Sequence, residues 1–269
     1  MHNLKKASLL KYKEVFLAYS YIKTEKEGSN MKGFFGVQNQ GNAFRAFSYP
    51  HMSVILIVFL VSILIYRFRE QLRENKINRF IRYAMGTILF IQQSLLYLWY
   101  HVNGLWSIAV SLPLNLCEAA VILCIVLLLT QSKRVYEVLY FWAMCGVFSA
   151  IITPDLGYNF PHFMFYHFFI THGLVVIAVL FMTFVNGYRP QKSSIGRVLI
   201  ITNLYMIFVA FVNIFTGGNY LFLRQKPSAF SIMDYLGPWP WYILSLEGVA
   251  LVAFILAYLP FRKEFHKHT

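Results

Sequence analysis

Apolar residues run along this chain in long blocks separated by short polar stretches. Seven blocks approach the roughly 17 to 25 residues that a helix needs to cross a bilayer. They are 51–67, 80–100, 105–130, 134–153, 160–186, 195–216 and 239–259. The first is the shortest, but Val54 to Ile65 is almost pure hydrocarbon. The strict alternation of a transmembrane barrel strand is absent. A bilayer core offers no water to backbone groups, and a helix satisfies its own. The pattern therefore predicts an all-α, polytopic transmembrane bundle of about seven spans over 51–259. An N-terminal extension, 1–50, precedes it and a basic tail, 260–269, follows. No internal repeat and no soluble second domain is visible.

Composition strengthens the membrane reading. Charged residues are 13% of the 269 and hydrophobic types 58%. A soluble domain carries about 25% charged residues. The three cysteines, Cys117, Cys124 and Cys145, all fall inside predicted spans, so no disulfide framework is expected.

The net charge of +13 would suit nucleic acid, but its distribution points elsewhere. Arg67, Arg69, Arg73, Lys76, Arg79 and Arg82 cluster between spans one and two. Lys133 and Arg134 follow span three, and Arg189, Lys192 and Arg197 follow span five. Arg262, Lys263 and Lys267 close the chain. The connections near His101–Gly104 and around Asp155 carry no Lys or Arg, and 217–238 has only Arg224 and Lys226. Rich and poor loops alternate, which predicts a cell-membrane protein with its N-terminus outside and its C-terminus in the cytoplasm. Residues 1–50 break the pattern with eight basic residues, six of them before Met31. A start at Met31 would leave only Lys32 and Arg45 outside. The alternative is an amphipathic helix lying on the membrane surface.

Polar groups inside spans are costly and mark candidate sites. Span three holds Ser111-Leu-Pro-Leu-Asn-Leu-Cys-Glu118. Pro113 either kinks the helix or starts it, with Ser111 as N-cap. In the second case Cys117 lies near the positive end of a helix dipole, which favours a thiolate. The plainer reading is an ordinary kink with Cys117 filling space. Span five holds His162, His167 and His172, spaced five apart, or about 140° around a helix. They share no face, which argues against a three-histidine metal site, and no cofactor is expected. Glu247 in span seven needs a partner, and a histidine is the natural candidate. Gln92, Gln93, Asn203 and Asn213 fit helix-to-helix hydrogen bonding. At about 1.5 Å rise per residue, Cys117, His172 and Glu247 fall about 12 to 18 Å below the starts of their spans. Trp239, Trp241 and Tyr242 fit an interfacial aromatic belt, with 217–238 as a turn or a lid.

A thiolate activated by an imidazole is a nucleophile, and a bilayer offers it acyl esters. Attack on an acyl lipid would leave an acyl-cysteine that a lysolipid or water then discharges. The competing reading is a transporter or sensor whose buried polar layer, Glu247 and the histidines among it, relays protons or binds solute.

Three motifs carry a resemblance: Pro-Leu-Asn-Leu-Cys at 113–117, Phe-Tyr-His-Phe-Phe-Ile-Thr-His-Gly at 165–173, and Leu-Gly-Pro-Trp-Pro-Trp-Tyr at 236–242. Together they resemble the YwaF-like family of bacterial integral membrane proteins across most of 50–260. That family is similar to a eukaryotic transmembrane acyltransferase that moves acyl chains from phosphatidylcholine to lysophospholipids. The resemblance implies a catalytic pair, Cys117 with His172, which matches better than His167; His167 and Glu247 remain candidates as polar residues inside spans. It implies membrane lipids as partners, and acyl-lipid and lysophospholipid substrates. The chain departs from the acyltransferase at Leu116, which replaces Pro, and at Glu118, which replaces His. It departs from the bacterial family at Asn115, where His is usual.

Overall fold

A computed structural model describes residues 33–37, 44–227 and 232–262. The stretch up to Met31, with the expected start there, lies outside these residues, as do Lys263 and Lys267 of the tail. The described residues are all-helical. The helices are α1 (Tyr49–Arg67), α2 (Arg69–Leu72), α3 (Asn75–Val102), α4 (Leu116–Thr130), α5 (Lys133–Phe141), α6 (Phe148–Ile152), α7 (Phe163–Phe184), α8 (Lys192–Thr216) and α9 (Trp241–Tyr258). A π-helical turn, Trp142–Val147, joins α5 to α6 in one continuous run.

Five helical runs are long and apolar enough to cross a membrane: Tyr49–Arg67, Lys133–Ile152, Phe163–Phe184, Lys192–Thr216 and Trp241–Phe261. The predicted span 80–100 lies within α3, which begins earlier at Asn75 and has 28 residues. Its length of about 42 Å exceeds a hydrocarbon core of about 30 Å, and its first turns hold Lys76 and Arg79.

The predicted span 105–130 needs correction. Only its second part is helical, the 15 residues of α4. The first part is irregular chain whose polar groups are met by distant side chains. Tyr220 accepts from the Leu112 N–H at 2.9 Å and donates to the Ile108 carbonyl at 2.8 Å. Tyr205 donates to the Leu114 carbonyl at 2.9 Å. Ser111 is not the N-cap of α4. Its hydroxyl accepts from the Ser107 N–H at 3.1 Å, and Asn115 caps the helix instead. The depth reckoned for Cys117 along a helix from residue 105 therefore does not apply.

The packing order follows from burial. Two-thirds of the α7 span is buried (67%), against 17% for α1, 17% for α8 and 11% for α9. Helix α7 is the central post, packed against α1, α3 and α4. It has room for α1 at Gly173, where a Cβ would stand 3.2 Å from Val58 Cγ2. Small residues permit such close approaches between helices in lipid. The outer helices present a continuous apolar surface, including Ile200, Leu204, Ile207, Phe211 and Phe215 on α8 and Leu244, Val252 and Leu256 on α9. An apolar patch of that extent suits a protein whose solvent is lipid.

One end of the bundle is basic. There Arg73 donates to the Val185 carbonyl at 2.9 Å, tying the α2 region to the end of α7. Arg82 is 5% exposed. It donates to Asn78 Oδ1 at 2.9 Å and to the Leu128 carbonyl in the last turn of α4. A cation at a helix C-terminus meets the negative end of its dipole. Sequence reasoning placed Arg82 among the loop cations, whereas the structure makes it a buried clamp between α3 and α4.

Candidate functional site

The site is built on the first turn of α4. Asn115 is extended (φ −69°, ψ 149°) and starts the helix. Its N–H donates to the Glu118 carboxylate at 3.3 Å, half of a capping box that the Asn-x-x-Glu spacing encodes. Its Oδ1 accepts from the Leu221 N–H at 3.2 Å. The cap thus also holds the turn Tyr220–Phe222, and Asn213 secures that turn from α8. Asn213 accepts from the Tyr220 N–H at 2.8 Å and donates to its carbonyl at 2.9 Å.

Cys117 is the second residue of α4. The first N–H groups of a helix have no partner one turn earlier, and half-buried Cys117 belongs to that turn. The π-helical turn packs on the same region. A Cβ on Gly146 would lie 3.2 Å from Leu116 Cδ2, so Gly146 lets the two segments meet. Such π-bulges recur at functional sites.

Helix α7, packed against α4, carries the histidines. His172 stacks on Phe168 with ring centroids 3.9 Å apart, and its Nδ1 bonds the Phe168 carbonyl at 2.7 Å. A carbonyl only accepts, so Nδ1 carries the proton and Nε2 keeps a lone pair. His167 packs on Phe163 at 5.8 Å and neighbours the Gln92 backbone of α3. Its Nδ1 is buried without a hydrogen-bond partner. His162 is structural. It caps α7 by accepting from the Met164 N–H at 3.1 Å, bonds the Gly36 carbonyl at 2.8 Å and stacks on Tyr158.

Glu247 departs from the expectation of a histidine partner. It accepts from Asn203 Nδ2 on α8 at 2.8 Å. Asn203 sits on the neighbouring helix and offers the same donor function without a charge. The structure therefore brings the helices of Cys117 and His172 together and joins Glu247 to α8. No hydrogen bond links the Cys117 thiol to either imidazole. Sequence reasoning missed His51, which is fully buried. It accepts from the Phe47 N–H at 2.9 Å and bonds the Ile151 carbonyl at 2.8 Å, pinning the start of α1 to the end of α6. Among the described residues, no three His, Cys, Asp or Glu side chains converge as a metal site.

The TMEM164 family profile matches residues 46–258. The chain belongs to the TMEM164 family. That match takes in every helix from α1 to α9, so the cap at Asn115, Cys117 and both α7 histidines lie within the family region. An uncharacterized protein of Treponema pallidum (strain Nichols) is 27% identical over 223 residues, covering 83% of this chain and 92% of the relative. No solved structure matches the chain.

Proposed function

We propose that this membrane protein transfers an acyl chain from an acyl lipid through a thioester on Cys117, with His172 as general base. The observation that carries this reading is the fixed tautomer of His172. The Phe168 carbonyl holds the proton on Nδ1 and leaves Nε2 free to take one, on a helix that packs against α4.

In this reaction Nε2 of His172 takes the Cys117 proton as sulfur attacks the ester carbonyl. The oxyanion meets free N–H groups of the α4 first turn. The ester C–O bond breaks, the leaving alkoxide takes the proton from His172, and a lysolipid departs. An acceptor hydroxyl then gives its proton to His172 and attacks the thioester. The C–S bond breaks and the proton returns to sulfur. His167 flanks His172 on the same helix. The resemblance of the Cys117 and His172 motifs to the phospholipid acyltransferase supports the same assignment, with phospholipids and lysophospholipids as substrates. The charge alternation supports a cell-membrane location with the basic end in the cytoplasm, which places Cys117 toward the outer leaflet. The competing transporter or sensor reading rests on the Glu247–Asn203 pair, a half-buried carboxylate held by an amide between α8 and α9.

Labelling in native membranes with a thiol-reactive lipid probe tests the proposal. Cys117 should be labelled, Cys117→Ala should abolish the signal, and His172→Ala should weaken it sharply. An inert Cys117 in folded, detergent-stable protein would overturn the enzyme reading.

A further inference from the structure

Between α3 and α7 the structure leaves a row of buried polar atoms without protein partners: Gln92 Oε1, Trp99 Nε1, Asn103 Oδ1 and His167 Nδ1. Trp99 is 3% exposed and His167 8%. Positions 92, 99 and 103 fall within about 40° of one another around α3 and span about 16 Å along it. The start of α7 and the loop before it supply the other wall. The Trp99 ring meets His162 at 6.5 Å and Tyr158 at 6.0 Å, and His167 lies beside Gln92. The row thus leads from the end of α3 inward to His167. His172 follows five residues further along α7, about 7.5 Å deeper and about 140° around the helix, so an acceptor must pass from the His167 face of α7 to the next to reach it.

The outer end of the row has a roof. Four successive carbonyls of residues 34–37 bond the surrounding elements. Phe34 O accepts from the Phe163 N–H at 2.8 Å, and Phe35 O from Asn103 Nδ2 at 3.1 Å. Gly36 O accepts from His162 Nε2 at 2.8 Å, and Val37 O from the Tyr158 hydroxyl at 3.2 Å. These four carbonyls are engaged at the rim, and this segment gives the four inner atoms no partner.

Buried polar atoms are nearly always paired, and those without a protein partner are met by ordered water. Gln92 Oε1 and Asn103 Oδ1 accept, Trp99 Nε1 donates, and His167 Nδ1 takes either role. A hydroxyl, which both donates and accepts, complements all four. We propose that this row binds a file of hydroxyl ligands and delivers the acyl acceptor to His172 from the roofed end. The delivery step rests on the acyl-transfer reading above, whereas the hydration of the row does not. Water and the free hydroxyl of a lysolipid share the required chemistry.

Two arms test this. In full-length protein in membranes, with the native cysteines replaced, silver ion reaches a thiol only through water. It should block Gln92→Cys roughly tenfold faster than Ile91→Cys, whose side chain faces the lipid side. Asn103→Cys serves as a second position if Gln92→Cys does not fold. Equal rates at 91, 92 and 103 would overturn the hydrated row whatever the enzyme does.

In the otherwise native chain, Trp99→Phe removes the donor and keeps a ring, and Gln92→Leu removes the acceptor. Both should slow the decay of an acyl adduct on Cys117 several-fold while leaving its formation unchanged. Oxygen-18 from labelled water in the released acid identifies water as the acceptor. Acyl ester on added lysolipid identifies the lipid hydroxyl. Unchanged decay in both variants would overturn delivery along this row. A failure of any adduct to form would instead contradict the acyl-transfer reading and leave the silver rates to decide the row.

Discussion

At the scale of single residues, several buried polar groups tie distant parts of the bundle together. His51 is the clearest case, because both ring nitrogens are engaged and no surface is exposed. Replacing it strands the Phe47 N–H and the Ile151 carbonyl, each costing about 1 to 3 kcal/mol if left unmet. His51→Ala should therefore lower the thermal midpoint in detergent clearly, while Cys117 labelling in the surviving folded fraction persists. Arg82 gives a matched comparison with an exposed neighbour. Arg82→Ala removes the cation from the end of α4 and should destabilise by about 2 kcal/mol or more. Arg79→Ala, on the exposed side of the same helix, should change the midpoint little. Neither role could be read from the sequence. His51 stands beside a helix start and Arg82 inside a run of arginines, and only the partners Ile151 and Leu128, far along the chain, reveal what each does.

At the scale of elements, the helices were legible where apolar runs were long and uninterrupted, as in α1, α7, α8 and α9. The start of α4 was not. Residues 105–114 are as apolar as a span, and their irregular backbone depends on hydroxyls of Tyr205 and Tyr220, which no periodicity announces. Pro113 and the Asn115-x-x-Glu118 spacing were the available signals, and Pro113 allowed two starts. The partner of Glu247 was misread for a related reason: a half-buried carboxylate needs a donor, and an amide supplies one as well as an imidazole. The π-helical turn gives a test at this scale. Gly146→Val would push a side chain against Leu116, where even an added Cβ would stand only 3.2 Å from Leu116 Cδ2. It should tilt the first turn of α4 and reduce Cys117 labelling several-fold with helicity, read by circular dichroism, unchanged. Gly218→Ala is the harsher change, because its Cβ would stand 2.6 Å from the Ala109 carbonyl. It should loosen the turn that caps Asn115 and lower both labelling and thermal midpoint.

At the scale of the whole molecule, the all-helical membrane class was written in composition and block length, and membership of the TMEM164 family agrees with it. Orientation was written only in charge, and a direct test is simple. A membrane-impermeant maleimide applied to intact cells should reach a cysteine placed at Asn219 and leave one at Lys133 untouched; the reverse pattern would invert the topology. The candidate pair was legible as residue types, Cys117 and His172. What the sequence could not convey is the His172 tautomer on which its proposed role as a base depends, since that is set by the Phe168 carbonyl. The most direct test of the central claim is mass spectrometry of Cys117 after the purified, full-length protein is incubated with a phospholipid carrying an isotope-labelled acyl chain. The account predicts a labelled acyl mass on the peptide containing Cys117, strongly reduced in His172→Ala and discharged on adding lysolipid. Folded protein in which Cys117 stays unmodified, or in which the label appears on another residue, would contradict it.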